Sequence, residues 1–360
     1  MFVGIDVGGA NTKVATSEIN EFVDTIYAPL WKNNAILYDV LSEVKQKFET
    51  VEGAETGIEA VGVVMTGELC DCFETKKEGV LHIKKALSTV FKFKNIKFFD
   101  CDCAFRDGSD VDKDPLSFAS TNWLASAKLI SEHYKDAIFV DIGSTTTDVI
   151  PIKGGEIKAK RTDLERLKSG ELIYSGILRT NVATLLNKVK IGEKREECKT
   201  SAELFAITAD AYLALRYLNE SDYSCESPDS HAFGGGEEEE KSRISAMRRL
   251  ARVVCSDLEV IGEDGAVSIA EQVKEAQVGD LVASIKKMKE KYRFETLTVV
   301  SAGIGDFIAK EAAESLNTQF FSLSSIYGKK IAAAFPAYAV AKLLFRSVRY
   351  SNLVKDKCDQ

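Results

Sequence analysis

One ten-residue pattern occurs twice in this chain, and it constrains the fold more than any other feature. Ile5-Asp6-Val7-Gly8-Gly9-Ala10-Asn11-Thr12-Lys13-Val14 lies over Val140-Asp141-Ile142-Gly143-Ser144-Thr145-Thr146-Thr147-Asp148-Val149 without a gap. The aspartate, the first glycine, a threonine and the closing valine are identical, and the apolar positions agree. In each copy an apolar strand ends at a glycine turn, and a second strand follows with the alternation of a half-buried sheet. Residues 2–7 and 12–19, then 137–142 and 147–152, read as matched hairpins. Residues 22–31 and 156–160 supply a third strand to each. Two β-meanders of one kind imply an internal duplication. The one exchange of charge is Lys13 against Asp148, which marks where the halves have stopped being equivalent.

The turns point to anions. Glycine after a strand lets backbone N–H groups come close to a phosphate, where a side chain would stand in the way. Gly8, Gly9, Gly143 and the side chains of Asn11, Thr12, Ser144, Thr145 and Thr146 surround that position with donors. A carboxylate beside a polyphosphate is repulsive unless a metal intervenes, so Asp6 and Asp141 indicate Mg²⁺ held largely through water. One copy alone reads as well as a plain hairpin; the matched pair favours phosphate binding. Lys13 is the natural countercharge for a terminal phosphate, although a solvated strand lysine fits equally. Ser301-Ala302-Gly303-Ile304-Gly305, with a helix over 306–316, is a strand-turn-helix of the kind that meets an anion or a nucleotide, so Gly303 and Gly305 join the candidates.

The 360 residues suit two domains: a first lobe over 1–136, a second over 137–335 with a helical insertion, and a closing helix and tail over 336–360. Helical spacing marks 35–48 and a final helix over 336–348, and residues 164–292 are mostly helical, with 201–218 and 242–258 the clearest segments. Between two of these, residues 224–241 carry Pro228, three glycines and four glutamates and read as a mobile surface loop. A net charge of -8 argues against nucleic acid or an anionic membrane as partner. No run approaches the roughly 18 apolar residues of a membrane span, and no signal peptide precedes the first strand, so a cytoplasmic protein is expected. Nothing in the pattern sets an oligomeric state.

Eight cysteines without a secretion signal read as reduced thiols. Cys70-Asp71-Cys72 and Cys101-Asp102-Cys103 have the wrong spacing for zinc and no histidine nearby; packing is the simpler reading. His82, His133 and His231 form no cluster. Asp210 sits in the apolar helix Ala206-Ile207-Thr208-Ala209-Asp210-Ala211-Tyr212, where a carboxylate needs a partner or water, so it is carried as a substrate candidate beside a structural role.

The motifs together resemble a known superfamily. Gly4 to Lys13 resembles the first phosphate motif of the actin, sugar-kinase and hsp70 superfamily, Asp141 to Asp148 its second, and Gly303-Ile304-Gly305 its adenosine motif. The run Asp141-Ile142-Gly143-Ser144-Thr145-Thr146-Thr147-Asp148 is similar to hydantoinase and oxoprolinase subunits. Thr66-Gly67-Glu68-Leu69-Cys70-Asp71, Asn122-Trp123, Gly170-Glu171-Leu172-Ile173-Tyr174-Ser175-Gly176, Arg179-Thr180 and Thr208 to Tyr212 are similar to an archaeal branch that acts in methanofuran biosynthesis.

That resemblance implies an α/β, two-lobed actin-like (ribonuclease H-like) fold with an interlobe cleft. It also implies a Mg²⁺-dependent transferase joining 5-(aminomethyl)-3-furanmethanol diphosphate to γ-glutamyltyramine, with diphosphate released and an aryl ether formed. Charge developing on the leaving group would be met by Mg²⁺ and the donor-lined turns. The phenol, with a pKa of about 10, would gain from a base, for which Asp141, Asp148 and Asp6 qualify. Arg179 and Asp210 are candidate substrate contacts. Because this chemistry needs no ATP, the Gly303/Gly305 turn is vestigial or holds substrate. Two alternatives stay open: an ATP-dependent small-molecule kinase or hydantoinase-like hydrolase, and a non-catalytic nucleotide-binding switch.

Overall fold

The computed structural model describes residues 1–18, 22–49, 57–92, 95–228 and 240–358. The strand β1 (Phe2–Val7) is buried at all six residues, because strands pack on both of its edges and a helix covers it. β2 (Asn11–Thr16) and β3 (Val23–Tyr27) complete an antiparallel meander, with Asp6 directly opposite Lys13. On the other edge of β1, β4 (Ala60–Met65) runs parallel to it, followed by β5 (Asn95–Phe99) and the short β6 (Phe105–Arg106). The order is β3-β2-β1-β4-β5-β6.

The last helix, Phe335–Cys358, lies across β1, β2 and β4. It can do so because β1 has no side chain at Gly4, where a Cβ would overlap the carbonyl of Ala337. The helix buries Ala337, Val340, Ala341 and Leu344 against the sheet.

The second sheet repeats the plan. β7 (Ala137–Ile142) and β8 (Thr147–Lys153) form the hairpin, β9 (Glu156–Ile157) returns on the far end of β8, and β10 (Leu172–Ile173) pairs with Asp148 and Thr147. β11 (Lys188–Ile191) and β12 (Glu196–Lys199) make a separate ribbon. β13 (Thr298–Gly303) runs parallel to β7, and β14 (Gln319–Ser322) parallel to β13. The order is β10-β8-β7-β13-β14. A hairpin with a parallel strand on its first member thus occurs in both sheets, and the mixed α/β class follows the sequence pattern.

Some expected elements differ. The helix foreseen over 201–218 is only Thr208–Ala214. Ile207 is extended, and on either side of it Val182 N–H donates to the Ala206 carbonyl at 3.0 Å and Thr208 N–H to the Thr180 carbonyl at 2.8 Å, so the helix cannot start earlier. The helix foreseen over 242–258 stops at Arg252, and a longer one, Leu258–Lys291, follows, broken at Gly262 where φ is 68°. The third strand foreseen over 156–160 is divided between β9 and β10. Within the loop foreseen over 224–241, residues 229–239, with His231, lie outside the described residues.

By density of contacts the chain divides into two units. The first comprises Met1–Asp136, Ile152–Glu165 and Leu323–Gln360; the second comprises Ala137–Pro151 and Arg166–Ser322. Residues 152–165 and 323–335 therefore fold with the first unit, unlike the division expected from sequence. Local bonds explain the first excursion. Gly155 donates to the Lys135 carbonyl at 2.8 Å, Gly154 to the Asp136 carboxylate at 2.8 Å, and Asp163 pairs with Lys76 at 2.9 Å.

Candidate phosphate-binding hairpins

The first turn is closed by Gly8 N–H donating to the Asn11 carbonyl at 3.0 Å. The segment after β3 then lies over it: Leu30 N–H donates to the Gly9 carbonyl at 3.0 Å and Ala28 N–H to the Ala10 carbonyl at 2.8 Å. A peptide is planar, so turning the Gly9 carbonyl toward Leu30 turns the Ala10 N–H the other way. The N–H groups of Gly9 and Ala10 have no partner among the described residues. Gly9 leaves room for Cys70, whose Sγ would stand 2.8 Å from a Cβ there and would have to shift. The Lys13 ammonium, partly exposed, makes no ion pair among the described residues. Thr12 does not meet its expectation as a donor: it is buried in the sheet, its hydroxyl unpaired among the described residues.

The second turn has the same construction. Gly143 N–H donates to the Thr146 carbonyl at 2.9 Å, Ile177 N–H to Gly143 at 3.0 Å, and Leu178 and Arg179 N–H to Ser144 at 3.0 and 3.1 Å. Gly176 lets that strap approach, because a Cβ there would lie 2.5 Å from the Ser144–Thr145 peptide. With the Gly143 and Ser144 carbonyls held inward, the N–H groups of Ser144 and Thr145 point away from the strap. Neither they nor the hydroxyls of Ser144, Thr145 and Thr146 have partners among the described residues, and all three side chains are partly exposed. Successive outward N–H groups on a glycine turn form a concavity suited to an oxyanion.

Asp141 ends β7 beside this turn and is 8% exposed. Gly303, in register with Ile142 and at φ 88°, lies against it; a Cβ there would stand 2.6 Å from Asp141 Oδ1. Gly305 N–H donates to the Ile142 carbonyl at 3.1 Å. The structure thus brings Asp141, Ser144, Thr145, Thr146, Gly303, Gly305 and the Arg179 backbone together in the second unit. Asp6, Gly8, Gly9, Asn11 and Lys13 gather in the first.

Two candidates have other tasks. Asp148 accepts from Arg166 Nη2 at 2.6 Å, and Arg166 is buried; taking up a proton would break this pair, so Asp148 is corrected from candidate base to structural partner. Asp210 is 0% exposed. It accepts from Arg249 Nε and Nη2 at 3.0 and 2.6 Å, Tyr223 Oη at 2.9 Å and the Ile207 N–H at 2.9 Å. It therefore locks the helix Thr208–Ala214 in place and has no face for a substrate.

Sequence reasoning assigned no role to Glu68 or to Cys70. Cys70 packs under Gly9. Burial pushes the Cys103 thiol up to about 11, which keeps it protonated and a poor nucleophile at neutral pH. Among the described residues no group of three or more His, Cys, Asp and Glu side chains gathers to hold a metal ion.

Glu68 follows β4 and is wholly buried. Ser120 Oγ stands 2.9 Å from Glu68 Oε1 and 2.6 Å from Asp163 Oδ2, while Asp163 also receives Lys76. One hydroxyl proton cannot serve two carboxylates, so the arrangement is complete only when one carboxyl is protonated. Burial raises the Glu68 pKa and makes Glu68 that group. Since the folded state favours its protonation, its contribution is full below the ordinary carboxyl pKa and declines as pH rises through the folded value. Glu68→Gln keeps the hydrogen bonding without the ionisation. The stability of the wild type relative to this variant should therefore fall as pH rises above the ordinary carboxyl range in urea titrations; parallel pH profiles would contradict the assignment.

Residues 59–347 match the hydantoinase/oxoprolinase family model. The chain is similar to (4-{4-[2-(gamma-L-glutamylamino)ethyl]phenoxymethyl}furan-2-yl)methanamine synthase of Methanocaldococcus jannaschii, 37% identical over 96% of this chain and 97% of that one. It is similar to the synthase of the same name from Methanococcus vannielii, 37% identical over 61% of this chain and 95% of that one. The ethanolamine utilization protein EutJ from Carboxydothermus hydrogenoformans matches 95% of this chain and 89% of its own at 13% identity, with a TM-score of 0.45. With the family model covering most of its length and a full-length relative at this identity, the chain belongs to the hydantoinase/oxoprolinase family.

Proposed function

We propose that this chain is a transferase of methanofuran biosynthesis, joining 5-(aminomethyl)-3-furanmethanol diphosphate to γ-glutamyltyramine with release of diphosphate. The product name carried by the relatives contains the bond in question, a phenoxymethyl link between a tyramine phenol and a furan. The observation that carries the reading is the second turn. Its outward Ser144 and Thr145 N–H groups and three hydroxyls stand beside Asp141, ready for phosphate oxygens.

The chemistry balances simply. The C–O bond between the furan methylene and diphosphate breaks, its electron pair leaving with the diphosphate. The phenol oxygen bonds to that carbon and loses its proton. The furan ring supports the positive charge on carbon, while fixed donors support the negative charge on the leaving group. Asp148 is committed to Arg166, so the base is Asp6 or Asp141. Oxygen donors without a cluster of protein ligands suit Mg²⁺, which keeps most of its water and prefers phosphate oxygens. Asp141 beside the second turn, or Asp6 beside the first, would hold it, and when bound it would neutralise charge on the departing diphosphate.

Incubation with Mg²⁺, the furan diphosphate and γ-glutamyltyramine tests the reading. Diphosphate should appear only when both organic substrates are present. Production of ADP from ATP would overturn it in favour of the kinase or hydrolase alternative, and silence in both assays would favour a non-catalytic switch.

A further inference from the structure

A pocket of about 270 Å³ opens in the first unit. Its lining is mixed: Trp123, Leu124 and Ile157 form one part of it, Ser120 and Thr121 another, and Asp102 and Arg161 stand at its mouth. This volume lies just below the usual range of small-molecule sites, and one aromatic edge among convergent polar groups is a composition such sites share. Asp102 and Arg161 pair at 2.8 Å with side chains 57% and 69% exposed. A pair so solvated adds little to folding, so its two charges can exchange one another for a ligand's charges at small cost.

The floor is fixed and adjoins the first hairpin. Ser120 is held at φ 53°, a backbone region that a serine seldom adopts, and its hydroxyl is fastened between Glu68 and Asp163. Thr121 N–H donates to the Met65 carbonyl at 3.2 Å, and Thr66 N–H donates to the Val7 carbonyl at 2.9 Å. Two backbone hydrogen bonds therefore connect the pocket floor, through the end of β4, to the end of β1 where the open turn begins.

We infer that this pocket receives the acceptor substrate: the aromatic arm against Trp123, and its α-amino acid head at the mouth, ammonium on Asp102 and carboxylate on Arg161. The charge pattern selects this class of ligand. A guanidinium grips a carboxylate with two parallel N–H bonds, and a neighbouring carboxylate takes the ammonium of the same zwitterion. A plain aromatic amine would leave Arg161 unused. The inference rests on the transferase reading for the identity of the acceptor, and it assigns a site that reading leaves open.

Calorimetric titration of γ-glutamyltyramine into wild type, Arg161→Gln and Asp102→Asn tests the pocket without needing turnover. Each substitution should weaken binding by about tenfold or more, as expected for one charge-assisted contact. Equal affinities in wild type and both variants, or no binding to wild type, would overturn the proposal. A second measurement separates it from the function. In diphosphate-release assays, preference for γ-glutamyltyramine over tyramine should shrink at least about tenfold in Arg161→Gln, through KM. Robust wild-type turnover with an undiminished preference in the variant would sink the pocket and leave the transferase standing.

Discussion

Replacing Asp141 by Asn should leave the protein folded and lower kcat/KM for diphosphate release by about 10²- to 10³-fold, the range seen when one group supporting a developing anion is removed. The substitution is isosteric, so the packing against Gly303 is kept and only the charge is lost. The loss would fall on a leaving group that needs a counter-ion beside the Ser144 and Thr145 donors, and on any proton transfer assigned to that carboxylate. Steady-state kinetics over a range of Mg²⁺ concentrations measures it. Retention of full activity would remove the second hairpin from the reaction. A matching loss on Ser144→Ala alone is not expected, because the turn also presents backbone donors that no side-chain change removes.

The second large effect is on stability. Arg249→Met should destabilise the second unit by about 3–5 kcal/mol, since it strands a buried carboxylate. Asp210 is 0% exposed and receives two N–H groups from Arg249 besides Tyr223 and the Ile207 backbone. Arg249 Nη1 also donates to the Glu240 carbonyl at 2.8 Å, so the same guanidinium tethers the chain just before the helix Arg243–Arg252. Urea titration of Arg249→Met, of Asp210→Asn and of the double variant gives the coupling. The double variant should lose clearly less than the sum of the two singles, because neither charge is then left alone. Additive losses would mean that the pair is incidental to the fold.

The hairpins were legible in the sequence because everything that makes them is local: a period of two, a glycine after the strand and a repeat of the pattern. The N–H groups of Gly9, Ser144 and Thr145 stand open among the described residues, but Thr12 shows the limit of reading donors from position. Its position in the motif suggests a ligand, while the register opposite Val7 buries it. Asp210 shows the limit from the other side. Its main partner lies 39 residues along the chain, so an apolar helix with one carboxylate looked like a site when it was half of an ion pair. The helix foreseen over 201–218 failed for a related reason: backbone bonds to residues 180–182 hold its first part extended, and helical spacing carries no trace of them. Gly303 was read as a nucleotide turn; its immediate physical need is to lie flat against Asp141 and Ile142. The Glu68–Ser120–Asp163 chain joins three segments distant in sequence, and no short motif announces it.

The helix Phe335–Cys358 has a consequence for how the protein is made. It covers β1, yet it leaves the ribosome long after β1 does. Residues 166–322 of the second unit are synthesised in between and are complete before that cover arrives. The unit whose synthesis starts earlier is therefore the one that finishes second, reversing the usual order of co-translational folding. Until then the face of β1 and β4 that Ala337, Val340 and Leu344 will occupy is exposed, an apolar surface that a nascent-chain binder would be suited to shield.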